Sequence, residues 1–359
     1  MPSRPRRGAL RRTLLTALVT AAVAVPVSGA AGATAVPAPT PAALAPLTAA
    51  TPALLDARYA AGRADIQAAE RMAADYGDQK RAAELGTLAQ PSRHFLSFDG
   101  RDGGRTVEVF GDLAGADRVA VLVPGSDTNL DTYPRFRADA VALQRQLGPG
   151  AAVIAWLGYP TPSTESPDVL TTGLADQAAP QLQQFVRELS AIKPTARTSV
   201  VCHSYGSVVC ARAASGLDVT DIVLIGSPGV GNDSATVAGL HTRAAVWAGR
   251  GATDWVRDVP HVRVQLAFAT LGFGADPVSP GYGATIFPAG EGGHSDYLKS
   301  GSVALANIAR IVSGEPVPGA SGGSAATGPT AAPSAAPAST PSRAFPASTP
   351  SRAQEADHA

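Results

Sequence analysis

Cysteine is almost missing from this chain: Cys202 and Cys210 are the only two among 359 residues. That scarcity excludes a thiolate-rich metal site and any multi-disulfide framework. One of the two ends an expected strand, and the other sits well into the helix after it. Such a separation exceeds the Cα limit of ~7 Å for a bridge, so both are read as small buried hydrophobes. Lysine is nearly as scarce, since Lys80, Lys193 and Lys299 are the only lysines among 29 basic residues. The 29 acidic residues balance these, net charge is zero, and no basic block occurs within the expected folded region. Nucleic-acid binding and attachment to an acidic membrane therefore have no electrostatic footing. Walker loops and G-x-G-x-x-G fingerprints are also missing, as is any metal-ligand spacing, so neither a cofactor nor a metal is expected. The nearest glycine cluster, Gly226-Ser227-Pro228-Gly229-Val230-Gly231, has the wrong spacing and reads as a loop near a site rim.

What is present is apolar: 45% of the residues are hydrophobic, enough for a sizeable core. The ends are different. Arg4, Arg6, Arg7, Arg11 and Arg12 precede the apolar run Thr13 to Val25, and Ala31-Gly32-Ala33 offers a cleavage site. Residues 1–33 thus read as a signal peptide, and Arg11-Arg12-Thr13-Leu14-Leu15 resembles a twin-arginine export signal. The run is too short to span a bilayer comfortably, so no stable membrane span is expected after processing, and the chain is expected to be secreted or at the cell surface. Residues 34–50 form a Pro/Ala-rich linker, and 51–90 show helical periodicity broken at Gly62 and Gly77. Residues 91–315 make the main domain. From 316 to 359 the chain is Pro, Ala, Ser, Thr and Gly, with PASTPSRA twice. A tail of that composition cannot bury enough surface to fold; it reads as solvated, with cell-wall association as the alternative.

Within the main domain, apolar runs alternate with helical stretches. His94–Phe98 and Thr106–Phe110 flank a Gly/Asp-rich turn and read as a hairpin. The runs at 119–123, 152–157, 198–202, 221–225 and 244–248 are strands, with helices at 135–147, 174–189, after Ser204, and at 303–312. Continuous β-branched runs separated by helices indicate a mostly parallel sheet covered on both faces. A hairpin leading into such a sheet is the arrangement of the α/β-hydrolase fold.

The stretch Cys202-His203-Ser204-Tyr205-Gly206 sits between a strand and a helix, as a G-x-S-x-G nucleophile elbow must. Cysteine replaces the first glycine, and it is compact enough for the turn. Ser204 is the candidate nucleophile, which needs a base to take its proton. Of the six histidines, His94 and His203 precede it, with His203 pointing away, and His358 is in the tail. His241 precedes a strand, and His261 has no strand end before it. His294, after the short strand 284–287 and before the last helix, is the candidate base. Asp254 follows the strand 244–248 and is favoured as the acid; Asp276 is the alternative. For the oxyanion hole, the backbone donors are Tyr205 and Ser126. Tyr159 and Trp255 are candidate pocket-lining groups.

The motifs PGSDTN, AWLGYPTP, CHSYGSVV, DIVLIGSPG, GATDWV, FGADPVSPGYGA and GGHSDYLKSGSVALANIARIV resemble an actinobacterial α/β-hydrolase family of unknown function, whose members usually carry GHSYG at the elbow. The likeness covers roughly 93–314. It implies the α/β-hydrolase fold, Ser204 as nucleophile and His294 as base, and it leaves Asp254 and Asp276 both open. The expected activity is a secreted serine esterase acting on a small-molecule or lipid-like acyl substrate through an acyl-enzyme. The rivals are an acyltransferase with the same triad, and a non-catalytic cell-wall or binding protein on the same fold.

Overall fold

The computed structural model describes residues 36–231, 235–265 and 270–322. The expected signal peptide and the repeated octapeptides lie outside these residues. The N-terminal helical segment forms two helices, α1 (Pro52–Tyr76) and α2 (Gln79–Leu88). Gly77, in the left-handed region at φ 94°, ends α1. Gly62, expected to break the helix, instead lies within it. A Cβ there would come 2.8 Å from the Phe95 carbonyl oxygen, so the glycine permits close approach to the first strand.

Ten strands follow among the described residues: β1 (His94–Asp99), β2 (Arg105–Phe110), β3 (Arg118–Val123), β4 (Ala151–Leu157), β5 (Arg197–His203), β6 (Asp221–Ile225), β7 (Ala245–Gly249), β8 (Val264–Gln265), β9 (Thr270–Leu271) and β10 (Thr285–Ile286). Eight form one sheet in the order β1-β2-β4-β3-β5-β6-β7-β10, and β8 and β9 pair separately. The β1–β2 and β2–β4 pairs are antiparallel and the remaining pairs in the large sheet are parallel. This is the α/β-hydrolase fold that the alternation of strand and helix runs predicts.

The central strands are apolar throughout because both of their faces are covered. Successive residues alternate between two cores. Val119, Val121, Val200, Cys202, Ile222 and Leu224 face α4 (Gly173–Ile192) and α5 (Tyr205–Ala213). Ala120, Leu122, Val201, Val223 and Ile225 face α3 (Tyr133–Leu147) and α6 (Val303–Ser313). Helix α1 runs along the edge strand β1, adding Leu55 and Tyr59 to one core and Ile66 and Ala69 to the other. A helix over an edge strand covers the unpaired side of the sheet. Beside it the buried Glu108 accepts from Arg93 Nε and Nη2 at 2.7 and 2.6 Å and from the Tyr133 hydroxyl at 2.9 Å, which offsets the cost of burying its charge.

One expectation fails at the margin of the domain. Residues 316–322, assigned by composition to the tail, are placed against the domain. Ser321 and Ile286 exchange backbone hydrogen bonds of 2.8 and 2.9 Å, so the backbone of β10 supplies what the side chains of this segment lack. The 36–50 linker also touches the fold: Leu47 and Ala50 pack on one core and Val36 and Ala38 on the other.

The two cysteines are joined in a disulfide, contrary to the expectation that they lie too far apart. Their Cα atoms are 6.4 Å apart. The turn between β5 and α5 reverses the chain so sharply that the second turn of the helix packs back over the strand end. Both residues are 0% exposed, so the bridge is enclosed in the core. Closing this short loop removes unfolded-state freedom worth about 2.5 kcal/mol. Replacing both cysteines by alanine should lower the unfolding free energy by at least that amount in urea titrations under oxidising conditions; an unchanged midpoint would show that the bridge contributes nothing to stability.

Candidate active site

Strand β5 ends in a backbone that only a constrained turn allows. Ser204 adopts φ 54° and ψ −125°, a region that non-glycine residues rarely enter. The Ser204 N–H donates to the Ile225 carbonyl at 3.0 Å, and its own carbonyl accepts from the Ser207 N–H at 2.9 Å and the Ser207 hydroxyl at 2.6 Å. Gly206 has no alternative at its position, because a Cβ there would lie 2.5 Å from the Pro124 carbonyl and 2.6 Å from that of Val123. Gly125 is pressed equally close, since a methyl added there would lie only 2.6 Å from Ser204 Cβ. The Ser204 hydroxyl thus stands at the carboxyl end of the sheet, above the start of α5.

Three side chains from separate loops meet there. His294 Nε2 lies 2.9 Å from Ser204 Oγ, and His294 Nδ1 lies 2.9 and 3.1 Å from the two Asp254 oxygens. These distances let Nδ1–H donate to the carboxylate and set Nε2 to take the serine proton. Asp254 comes from the loop after β7 and is 0% exposed. Burial alone would raise its pKa, but bonds from His294, the Tyr297 hydroxyl and the Val256 N–H outweigh it and hold the carboxyl below its usual range. Asp276 is placed elsewhere. It pairs with Arg250 and lies 3.5 Å from His261 Nε2, so its charge is already committed and it makes no contact with His294.

Several contributors are not apparent from the sequence. Tyr297 donates to Asp254 and accepts from the Gly251 N–H at 3.0 Å, locking the acid's loop; its place in GGHSDY, three residues after His294, is the available signal. Gly226, from the cluster read as a rim loop, stands beside the site. A Cβ there would meet Asp254 Oδ2 at 3.0 Å and His294 Nδ1 at 3.1 Å. His203, expected to point away from Ser204, places Nε2 2.7 Å from the His294 carbonyl oxygen, a contact the sequence does not announce. The two rings are 4.8 Å apart. Desolvation and the neighbouring His294 push the His203 imidazole down to about 4.

The two expected oxyanion donors flank Ser204. Tyr205 begins α5, and its side-chain hydroxyl donates to the Thr171 carbonyl at 2.8 Å, which anchors that residue. Ser126 follows Gly125 in the loop after β3. Neither backbone N–H finds an acceptor among the described residues. The loop carrying Ser126 is fastened by bonds from the Asp127 N–H to the Pro162 carbonyl at 2.9 Å and from the Tyr159 hydroxyl to the Pro124 carbonyl at 2.7 Å. Tyr159 therefore braces this loop and does not line the pocket. Trp255 does line it, 56% exposed, with its ring 4.7 Å from that of His294.

The serine opens on a cavity of about 680 Å³. Val169, Leu170, Trp255, Val256 and Phe273 give it an apolar wall. The arrangement can move a proton from Ser204 Oγ to His294 Nε2 while Asp254 steadies the resulting cation.

A family described as "Alpha/beta hydrolase" matches residues 99–264, a stretch that includes Ser204 and Asp254 and ends before His294. Uncharacterized protein Rv2079 of Mycobacterium tuberculosis is 29% identical over 256 residues, or 61% of this chain. The match spans only 38% of that relative's length. Uncharacterized protein Mb0988c of Mycobacterium bovis is 31% identical over 186 residues, covering 45% of this chain and 70% of that one. The crystal structure of an α/β serine hydrolase without a lid from Xanthomonas campestris is 18% identical. It covers 64% of this chain and 97% of that one, with a TM-score of 0.40.

Two outcomes follow from the geometry. In steady-state ester assays, Asp254→Ala should lower kcat by about 10³-fold or more, whereas Asp276→Ala should stay within a few-fold of the parent; the reverse ranking would contradict the arrangement. His203 sets a stability trend. Its imidazole sits near 4 when folded and at about 6.5 when unfolded. As pH falls through that window the unfolded chain takes up a proton that the native chain does not. Stability should therefore fall between about pH 6.5 and 4 and level off below. In urea titrations across this range, His203→Asn should flatten that part of the slope; an unaltered slope would remove His203 as its source.

Proposed function

The chain belongs to the α/β hydrolase family, and from that premise we propose that it is a serine hydrolase that cleaves carboxylic esters through an acyl-enzyme. The observation that carries this reading is the unbroken hydrogen-bonded chain Ser204–His294–Asp254, its serine on a strained turn that opens on the cavity. Ser204 Oγ attacks the ester carbonyl carbon as its proton passes to His294 Nε2. The charge that develops on the carbonyl oxygen is met by the Tyr205 and Ser126 N–H groups, each such donor being worth about 10²–10³ in rate. Collapse of the tetrahedral species breaks the C–O bond, and His294 returns the proton to the departing alcohol. Water, deprotonated by His294, then attacks the acyl-enzyme, and the acid leaves with Ser204 restored.

Asp254 acts through His294, holding the ring in the tautomer that presents Nε2 to the serine. The apolar wall suits the acyl chain, so the substrate class is a small or lipid-like acyl ester. We place the protein outside the cytoplasm. The Arg-rich leader supports this reading, as does the Cys202–Cys210 bridge, which suits an oxidising compartment.

The test is a screen of p-nitrophenyl esters of graded acyl length with the full chain and its Ser204→Ala variant. Turnover by the parent, with kcat/KM at least about 10³-fold lower in the variant, is expected. Equal rates in both would contradict the proposal. Added short alcohols distinguish the fate of the acyl group: ester products accumulating in place of free acid would reassign the protein as an acyltransferase.

A further inference from the structure

Asp139 is out of keeping with its side of α3. The inward positions Phe136, Ala140, Leu143 and Leu147 are apolar and buried, and residue 139 falls among them, three positions on from Phe136. An apolar side chain fits that spacing, yet the sequence supplies a half-buried carboxylate. Asp139 lines the cavity that opens on Ser204, beside Phe136, Leu122, Val201 and Leu298. Two other carboxylates reach the same wall, and both are engaged. Asp127 accepts from the Thr164 N–H at 2.9 Å, and Asp131 pairs with Arg81 at 2.7 Å. Asp139 takes neither a hydrogen bond nor an ion pair among the described residues. Burial lifts its carboxyl to about 6, with the cation of Arg135 pulling the other way. Neither His294 nor Asp254 acts on it, which sets it apart from the reacting groups.

Partial removal of a carboxylate from water costs free energy that a donor must offset. No donor among the described residues does so, although the carboxylate borders the space a substrate fills. We propose that Asp139 is the recognition residue of a distal subsite that takes a hydroxyl or ammonium group carried on the substrate, several bonds from the carbonyl that Ser204 attacks. The apolar wall and Asp139 then read two different parts of one molecule. This deepens the serine-hydrolase reading and rests on it.

The experiment compares p-nitrophenyl esters of hexanoic, 6-hydroxyhexanoic and 6-aminohexanoic acid, with their butanoic and octanoic homologues, on the full chain and on Asp139→Asn and Asp139→Leu. A hydrogen bond to a charged group is worth roughly 10- to 100-fold in kcat/KM. The parent should favour a donor-bearing ester over the plain one by that ratio, and Asp139→Leu should erase the ratio. Preference for the amino ester alone identifies the group as a cation, and preference for both identifies a general donor. Asp139→Leu should also raise Tm, because the unpartnered carboxylate is gone. Equal ratios in the parent and in Asp139→Leu would overturn the subsite. A second measurement does not depend on turnover: hexylammonium and hexanol are titrated against Ser204→Ala, with and without Asp139→Asn, and Tm is followed. A shift that Asp139→Asn abolishes supports the subsite even if no ester is hydrolysed, and an identical shift in both chains overturns it. If the parent hydrolyses no ester, the serine-hydrolase reading fails separately.

Discussion

The backbone of Ser204 is the constraint on which the site depends. Holding a serine at φ 54° and ψ −125° costs of order 1–3 kcal/mol, and the turn persists because its surroundings permit nothing else. The β5–β6 ladder fixes the residue through the Ser204 N–H and the Ile225 carbonyl. Gly125 and Gly206 leave room that no side chain could share. Ser207 satisfies the Ser204 carbonyl and passes on to the Ser227 hydroxyl at 2.7 Å, tying the elbow to the loop after β6. The disulfide closes the same turn from the opposite side, between the strand end and the helix.

Burial of Asp254 is the second requirement and explains the crowding on that side. A carboxylate at 0% exposure must have its oxygens met. His294, Tyr297 and the Val256 N–H meet them. Tyr297 in turn takes the Gly251 N–H, so the loop after β7 and the segment before α6 hold one another. Gly226 lies close enough that a methyl would displace the pair. The remaining loops are arranged by similar means, with the loop carrying Ser126 clasped to residues 159–162.

The alternation of strands and helices, the hairpin entry and the elbow's place between β5 and α5 can all be read from the residues, because hydrophobic period and turn chemistry are local. So can the candidates Ser204 and His294, through their order along the chain. Asp254 is favoured over Asp276 by its place just after a strand, but both sit in Gly-rich loops, and what divides them is a tertiary fact, the pairing of Asp276 with Arg250 and His261. The cysteine bridge is hidden because distance along an open strand-plus-helix path overstates the separation, whereas the elbow folds Cys210 back to 6.4 Å from Cys202. The setting of His203 is hidden for a related reason: strand alternation turns it from the serine but toward the His294 backbone, which arrives from a remote loop. Residues 316–322 escape detection because backbone pairing with β10 leaves no trace in side-chain composition.

The central claim is that His294 activates Ser204 for covalent attack. Its most direct test is intact-mass analysis of the full chain after incubation with a fluorophosphonate at neutral pH, followed by peptide mapping. The account predicts one added phosphonyl group, located on Ser204, and a labelling rate that collapses in His294→Ala. Labelling elsewhere, none in the folded chain, or an equal rate without the histidine would contradict it.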